Sequence, residues 1–472
     1  MPAAPVLRLA FIVMYPTAEP LPDNMLSRVR VLHQEFFDRF PDNTRFRRIP
    51  IGEDFTGLAE FLRATVTPQA EQLTDLARRV WLGIYPQGVL ADVTGRSYAE
   101  VLIKRVVGCL VAATADPALA ATEQDAARAA CDAGAVVIDT TALTLLDYLD
   151  EHARRLVAQF ARVLYPATCR DDVLEARNSL ALRSNQTLGW NLQAQKPQLG
   201  SIPQDVADGW AEAGTRLAQR LSLVEVVQGS NQSWSWNDSM GLAGGERIAL
   251  WADDLALRHV ARTERIPAFG TLDLVTSLVQ AGHLPQTVLD ETLERFRRAY
   301  VVDLPIADRL LKFAAAENWN PDGYAALLLS RPCLWNPPSD GFAQSMVLMR
   351  TLLAGKATPE QVTRWATAAM TGLSWAIPPA DRTRAVAGIV AWTVLNGDGA
   401  AIFPDVLTAG ENVIAAAAPG GDLLDHAVSI LTETLGQIVH AEQIGVVFTR
   451  LLANFDQPRR ARAMRSFLSM SR

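Results

Sequence analysis

The stretch AGAVVIDTTALTLLDYL, Ala133 to Leu149, decides how this chain is read. Ala135 to Asp139 has the apolar, β-branched composition of a buried strand, and it ends on a carboxylate. A Thr-Thr pair follows, then apolar residues at helical spacing. An aspartate at the end of a core strand has two explanations. It caps the next helix, because an Asp oxygen accepts an N–H left open at the helix start, or it helps to hold a divalent cation. The choice turns on whether other carboxylates arrive at the same place.

Working outward, strand and helix patterns alternate from about residue 130 to 308. The strands are AVVID, RVLYP, RIALWADD, IPAFGT and YVVDLP. Helices are predicted over Ala142–Phe160, Asp171 to about Arg183, Leu255–Arg262, Leu272–Ala281 and Gln286–Arg298. Such alternation predicts a parallel sheet covered by helices. Ser184–Trp210, rich in Gln, Gly and Pro, reads as an extended insertion. The first 125 residues look mixed: strands at Val6–Tyr15 and Thr44–Ile51, helices at Asn24–Phe40, Phe55–Val66 and Tyr98–Thr114, and a turn-rich connection at Tyr85–Ser97. After residue 309 only helical patterns appear, separated by Pro/Gly punctuation such as RPCLWNPPSDG. The expected architecture is therefore α/β, with a mixed N-terminal domain over 1–125, a parallel-sheet domain over 130–308 and an all-helical C-terminal domain over 309–472.

Composition narrows the function. A chain of 472 residues exceeds one typical core, and 49% hydrophobic with 20% charged residues is ordinary for a folded soluble protein. A net charge of −7 offers no global attraction to nucleic acid or to an anionic membrane. A polyanion must then be held by a local basic patch, by bound cations, or by a groove that an oligomer or partner completes. The four cysteines lack CxxC spacing, which argues against structural zinc or a disulfide framework and suits the cytoplasm. LRLAFIVMYP carries one basic residue and is broken at Pro16, so it is read as a strand rather than a signal peptide. Apolar runs such as Ala385–Leu395 are about half the roughly 20 residues a membrane span needs. The six histidines form no HExxH, and GxSxG, P-loop and dinucleotide-binding fingerprints are absent.

In an open parallel sheet, ligands bind beyond the carboxyl ends of the strands. Carboxylates arrive there repeatedly. Asp139 ends its strand, Asp171 and Asp172 are expected where the next helix begins, Asp238 starts a short helical segment, and RIALWADD ends on Asp253 and Asp254. Taken singly, each has a cap explanation. The doubled aspartate resists it: if one caps the helix at Leu255, the other is left against the sheet edge, and an unpartnered buried carboxylate is costly. In combination these acids favour a hard divalent ion held by oxygen, Mg²⁺ or Mn²⁺, the ions of metal-dependent nucleases.

The order strand-Asp-Thr-Thr, then YPATCRDD, then WND, then WADDLALRHVARTERIPAFGTLDLV resembles the PIN-like domain family of nucleases over about residues 130–308. The resemblance implies a parallel sheet between helices, an acid cluster, one or two Mg²⁺ or Mn²⁺ ions, and hydrolysis of single-stranded RNA. Carried over, Asp139 is the first acid with Thr140 its accompanying hydroxyl. Asp172 or Asp171 is the second, usually a glutamate, Asp238 the third, and Asp253 or Asp254 the fourth. Asp139 and the fourth acid would bridge the metal, while Asp172 and Asp238 complete its shell or orient water. The long segment before Asp238 suits a larger regulatory or defence-type protein.

Arg258 and Arg262, one helical turn apart, are candidates for phosphate contact, against a solvated helix face. Asp273 is read as a cap. The basic stretch QPRRARAMR is read as an exposed helix end, and Trp319 and Trp335 as core or loop anchors. The alternative to an enzyme is a non-catalytic PIN-like scaffold whose helical C-terminal domain recruits a protein partner.

Overall fold

Five short strands, β1 (Ala135–Ile138), β2 (Arg162–Pro166), β5 (Glu225–Val227), β6 (Ala249–Trp251) and β7 (Ala268–Phe269), build a sheet in the order β5-β2-β1-β6-β7. Every neighbouring pair is parallel. Val136 is in register with Val163 on one side and Ala249 on the other. In β1, Val136, Val137 and Ile138 are all fully buried, as parallel strands covered on both faces require. Successive strands are added outward on one side of β1, and then the chain returns to add β6 and β7 on the other. The crevice between the ends of β1 and β6 is therefore the topological switch point, where open α/β sheets bind ligands.

This is a computed structural model, and it describes residues 23–39, 60, 72–105, 110–114, 116–181, 186–191, 196–229, 235–305, 309–355, 357–396, 399–417 and 422–470. The chain divides into two compact units, residues 1–70 with 188–200, and residues 71–187 with 201–472. The first contains helix α1 (Asp23–Arg39), where a helix was expected. Strands β3 (Gln186–Asn191) and β4 (Lys196–Ser201), most of whose residues belong to it, pair as a separate two-stranded sheet. The stretch read as an extended insertion thus includes paired strands. The strands expected at Val6–Tyr15 and Thr44–Ile51 lie outside the described residues, as does the helix at Phe55–Val66 apart from residue 60.

The second unit holds the five-stranded sheet. Its helices through residue 298 are α2 (Gly88–Thr94), α3 (Tyr98–Ile103), α4 (Pro117–Ala133), α5 (Thr140–Leu146), α6 (Glu151–Val157), α7 (Ala167–Ala181), α8 (Gln204–Arg220), α9 (Ser235–Glu246), α10 (Leu255–Thr263), α11 (Thr271–Gln280) and α12 (Gln286–Arg298); residues 72–81 are also helical. Helices then continue from Leu310–Ala316 to Gln457–Met470, and one buried apolar cluster runs from Leu110 through the sheet to Phe467. Trp335 anchors that core as expected, with its indole N–H donating to the Leu329 carbonyl at 2.8 Å. Gly399–Ala417 is long and apolar enough to span a membrane by length and composition alone. It carries Pro404 and buries Ile402, Phe403, Val406 and Leu407 within the helical array.

Several expectations are corrected. Tyr85–Ser97 contains a helix, α2, ended by Gly95 in the left-handed region at φ 63°. The helix expected over Tyr98–Thr114 stops at Ile103, and Leu110–Thr114 is not helical, tied by Val302 N–H to Leu110 O and by Leu255 N–H to Val111 O. YVVDLP is not a strand. Tyr300 and Asp303 take φ of 54° and 61°, which leaves Val302 a single bridge to Val111. The fifth strand is instead β5. The helix expected over Ala142–Phe160 breaks at Asp150, φ 48°, between α5 and α6.

Candidate functional site

Each acid reaches the sheet edge by a different local route. Asp139 leaves β1 with its N–H still in the sheet, bonded to Trp251 O at 2.8 Å, and its side chain turns to cap α5. Its Oδ2 accepts the Thr141 N–H at 2.8 Å, the Thr141 hydroxyl at 2.6 Å and the Tyr98 hydroxyl at 3.3 Å; its Oδ1 accepts the Ser239 hydroxyl at 2.7 Å. The same Thr141 oxygen accepts the Asp253 N–H at 3.0 Å, linking the ends of β1 and β6. Thr140 points elsewhere, to the Tyr165 hydroxyl at 2.8 Å. The hydroxyl accompanying the first acid is therefore Thr141, because capping brings the second threonine, not the first, back over the carboxylate.

The doubled aspartate divides its work. Asp254 caps α10 through the Leu257 N–H at 3.2 Å and accepts the Gln87 N–H at 2.7 Å. Asp253 is not left without a partner: its oxygens accept the N–H of Thr271 at 2.7 Å and the Thr271 hydroxyl. Asp273 closes the same corner by accepting the Gly270 N–H at 3.0 Å at the start of α11, the capping role read from the sequence. Asp172 lies inside α7 rather than at its start, since the helix begins at Ala167. It accepts the N–H groups of Tyr98 and Ala99 at 2.8 Å each, and the Ser235 hydroxyl at 3.0 Å. Asp171 is exposed and paired with Arg170 at 2.6 Å, which removes it as the second acid. Asp238 is buried in the first turn of α9, accepts the Thr168 hydroxyl, and presses so closely on Gly229 that a Cβ there would lie 1.8 Å from its Oδ2.

The two arginines do not face a ligand. Arg258 has no exposed surface; its guanidinium donates to Glu123 at 3.0 and 3.1 Å, to Ala252 O at 2.8 Å and to Ala112 O at 3.1 Å. Arg262 also turns to Glu123. Arg258 is corrected to a structural role, its donors consumed by buried Glu123 and two carbonyls, whereas Arg262, partly exposed, gives that glutamate one of its donors.

Burial raises the carboxyl pKa of Asp139 and pushes Asp253 and Asp254 up to about 6, with the charge of Asp139 adding to both. Asp273 is pushed by burial to about 7. Asp139, Asp253 and Asp254 lie just past the ends of β1 and β6, and Asp172 and Asp238 lie in α7 and α9, the helices that follow β2 and β5. They do not form a metal shell. Among the described residues no three His, Cys, Asp or Glu side chains are arranged to hold a metal ion. The oxygens that would turn toward an ion are taken by Thr, Ser, Tyr and backbone donors, so the expected bridging by Asp139 with Asp253 or Asp254 is absent and the arrangement does not fit Mg²⁺ or Mn²⁺ as it stands. Sequence reasoning missed the donors Gln87, Tyr98, Ser235, Ser239 and Thr271. Ser239 and Thr271 sit beside motif residues, in NDS and FGT, but Gln87 and Tyr98 come from a stretch that carries no motif. Comparison with known protein families, curated proteins and solved structures found no match to this chain.

Proposed function

We propose that this chain is a PIN-like, metal-dependent nuclease that hydrolyses phosphodiester bonds, with single-stranded RNA the favoured substrate, in the cytoplasm, and with the helical C-terminal segment available to a protein partner. The observation that supports it is the gathering of acids from four chain segments, after β1, β2, β5 and β6, at the switch point of a parallel sheet. Helix capping asks for one acid per helix start, whereas here burial first, and the nearby charge of Asp139 after it, lift Asp253 and Asp254 to about 6. Buried like charges with perturbed pKa values in such a crevice are the mark of a functional site. A Mg²⁺ or Mn²⁺ ion requires carboxylate oxygens free of competing donors, so the proposal concerns the chain with this edge opened.

A second reading has its own observation. Asp139 and Asp254 do cap α5 and α10, and Asp172 holds the first N–H groups of α3. This favours a non-catalytic PIN-like scaffold. Cleavage of labelled single-stranded RNA with Mn²⁺ or Mg²⁺ separates the two, comparing native protein, Asp139→Asn and a chelator control. Metal-dependent cutting that is lost in Asp139→Asn is expected. Cutting that survives the substitution removes Asp139 as the metal ligand of the reading, and no cutting by the native chain leaves the scaffold.

A further inference from the structure

Away from the sheet, the helices Pro338–Ala354, Pro359–Ala376, Arg382–Asn396 and Leu423–Ile438 border a groove of about 670 Å³. All four belong to the second unit. The floor is Phe342, Leu373, Ile377, Ala385 and Ile430; Leu373 is part of the main core, and the others pack against it partly buried. The rim is ionic, with Asp381, Arg384 and Glu433 exposed along it. We infer that this groove is the docking site for an amphipathic helix of a protein partner, apolar on the face it inserts and predominantly basic along its flanks. The inference rests on the partner-recruiting part of the reading above, and not on the chemistry of the acids.

Shape, charge and one glycine select that occupant. The groove opens to solvent along its exposed rim, so a small molecule in it would keep one side wet, whereas small-ligand sites bury roughly 70–90% of what they hold. An amphipathic helix needs one face buried, and anchors at i, i+3, i+4 and i+7 laid into an apolar groove hold it. Asp381 and Arg384 stand three residues apart, a spacing at which opposite charges on a helix meet. Yet neither they nor Glu433 has an ion-pair partner among the described residues. Elsewhere on the same array Arg459 pairs with Glu411 at 3.0 Å and Arg462 with Asp425 at 3.1 Å. Two open carboxylates to one guanidinium leave the rim net negative, which complements a basic helix and repels an acidic one. Gly388 lines the groove from the middle of Arg382–Asn396, and a Cβ there would meet no atom within 4 Å. Glycine inside a helix is destabilising against alanine, and no close neighbour requires it here. What it provides is depth. Ile438, four residues after Thr434 of the groove wall and 68% exposed, carries the apolar strip past the groove's end, where a helix would cover it.

The test pans the full chain with a displayed library of peptides of about 18 residues, five helical turns, with leucine fixed at i, i+3, i+4 and i+7. Selected peptides are expected to favour Lys and Arg over Asp and Glu. By fluorescence anisotropy they are expected to bind the native chain at least about tenfold more tightly than Gly388→Trp, which fills the groove; tenfold corresponds to about 1.4 kcal/mol. Glu433→Lys is expected to weaken them about two- to fivefold, as losing an exposed ion pair does, and less at high salt. If Gly388→Trp does not fold, Gly388→Leu carries the comparison. No selected peptide, selected peptides rich in acids, or binding that the Gly388 variants leave intact overturns the inference. A native chain that dimerises in sedimentation while Gly388→Trp stays monomeric makes a second copy the occupant and overturns the partner. Nile red bound by the native chain and expelled by Gly388→Trp, with no peptide selected, makes the groove a small-molecule site and overturns the helix. Metal-dependent RNA cutting is measured alongside: its absence overturns the nuclease reading and leaves the groove standing, and failure of the peptides does the reverse.

Discussion

Asp253, Asp254 and Asp273 hold their protons more tightly in the fold, at about 6, 6 and 7, than an aspartate does in an unfolded chain, at about 3.9. The stability tied to these protons is fully present below the unfolded value and is lost as pH rises through the folded ones. We expect a higher Tm at pH 5.5 than at pH 7.5, and a flatter profile in Asp253→Asn, measured by thermal melts across that window. Carboxylates held low by ion pairs, such as Glu294 at about 2 beside Arg297, titrate below it and do not interfere. The other buried charge behaves differently. Arg258→Met leaves Glu123 with no exposed surface and with only Arg262 as a cationic partner, at an expected cost of about 3–5 kcal/mol. Adding Glu123→Gln is expected to recover part of that in chemical denaturation. At this scale the aspartates were legible because a carboxylate ending an apolar run is conspicuous. The division of labour between Thr140 and Thr141 was not, because a one-residue difference in which hydroxyl folds back is settled by cap geometry.

Elements were legible where one force dominates. AVVID, RVLYP and the helices after residue 254 carry strong apolar periodicity and fall where the pattern put them. YVVDLP has a strand's composition but two left-handed residues, and the short strand EVV owes its place to pairing with β2. Tyr85–Ser97 looks like turns by composition, yet it becomes helical because Asp254 and Trp236 are there to receive it. Pattern reading cannot see such tertiary partners. Close approach between C-terminal helices is likewise invisible in sequence. A Cβ at Gly372 would lie 2.3 Å from both Leu329 O and Trp335 Nε1, so Gly372→Ala forces backbone apart. A loss of roughly 1–3 kcal/mol and a lower Tm are expected, read by urea denaturation.

Over the whole molecule, the sheet and the C-terminal helices belong to one unit with a continuous core, and the early segment Gln87–Ile103 closes over the edge they support. Chain order then has a consequence for synthesis. Residues 87–103 leave the ribosome well before Asp139, Asp172, Asp238 and Asp254, and β1 cannot pair with β6 until residue 251 has emerged. The cover is therefore made before the thing it covers, and its donors at Gln87, Tyr98 and Ala99 already exist when the acids assemble. A message whose translation began downstream of Ile103 would yield the acids with nothing waiting for them.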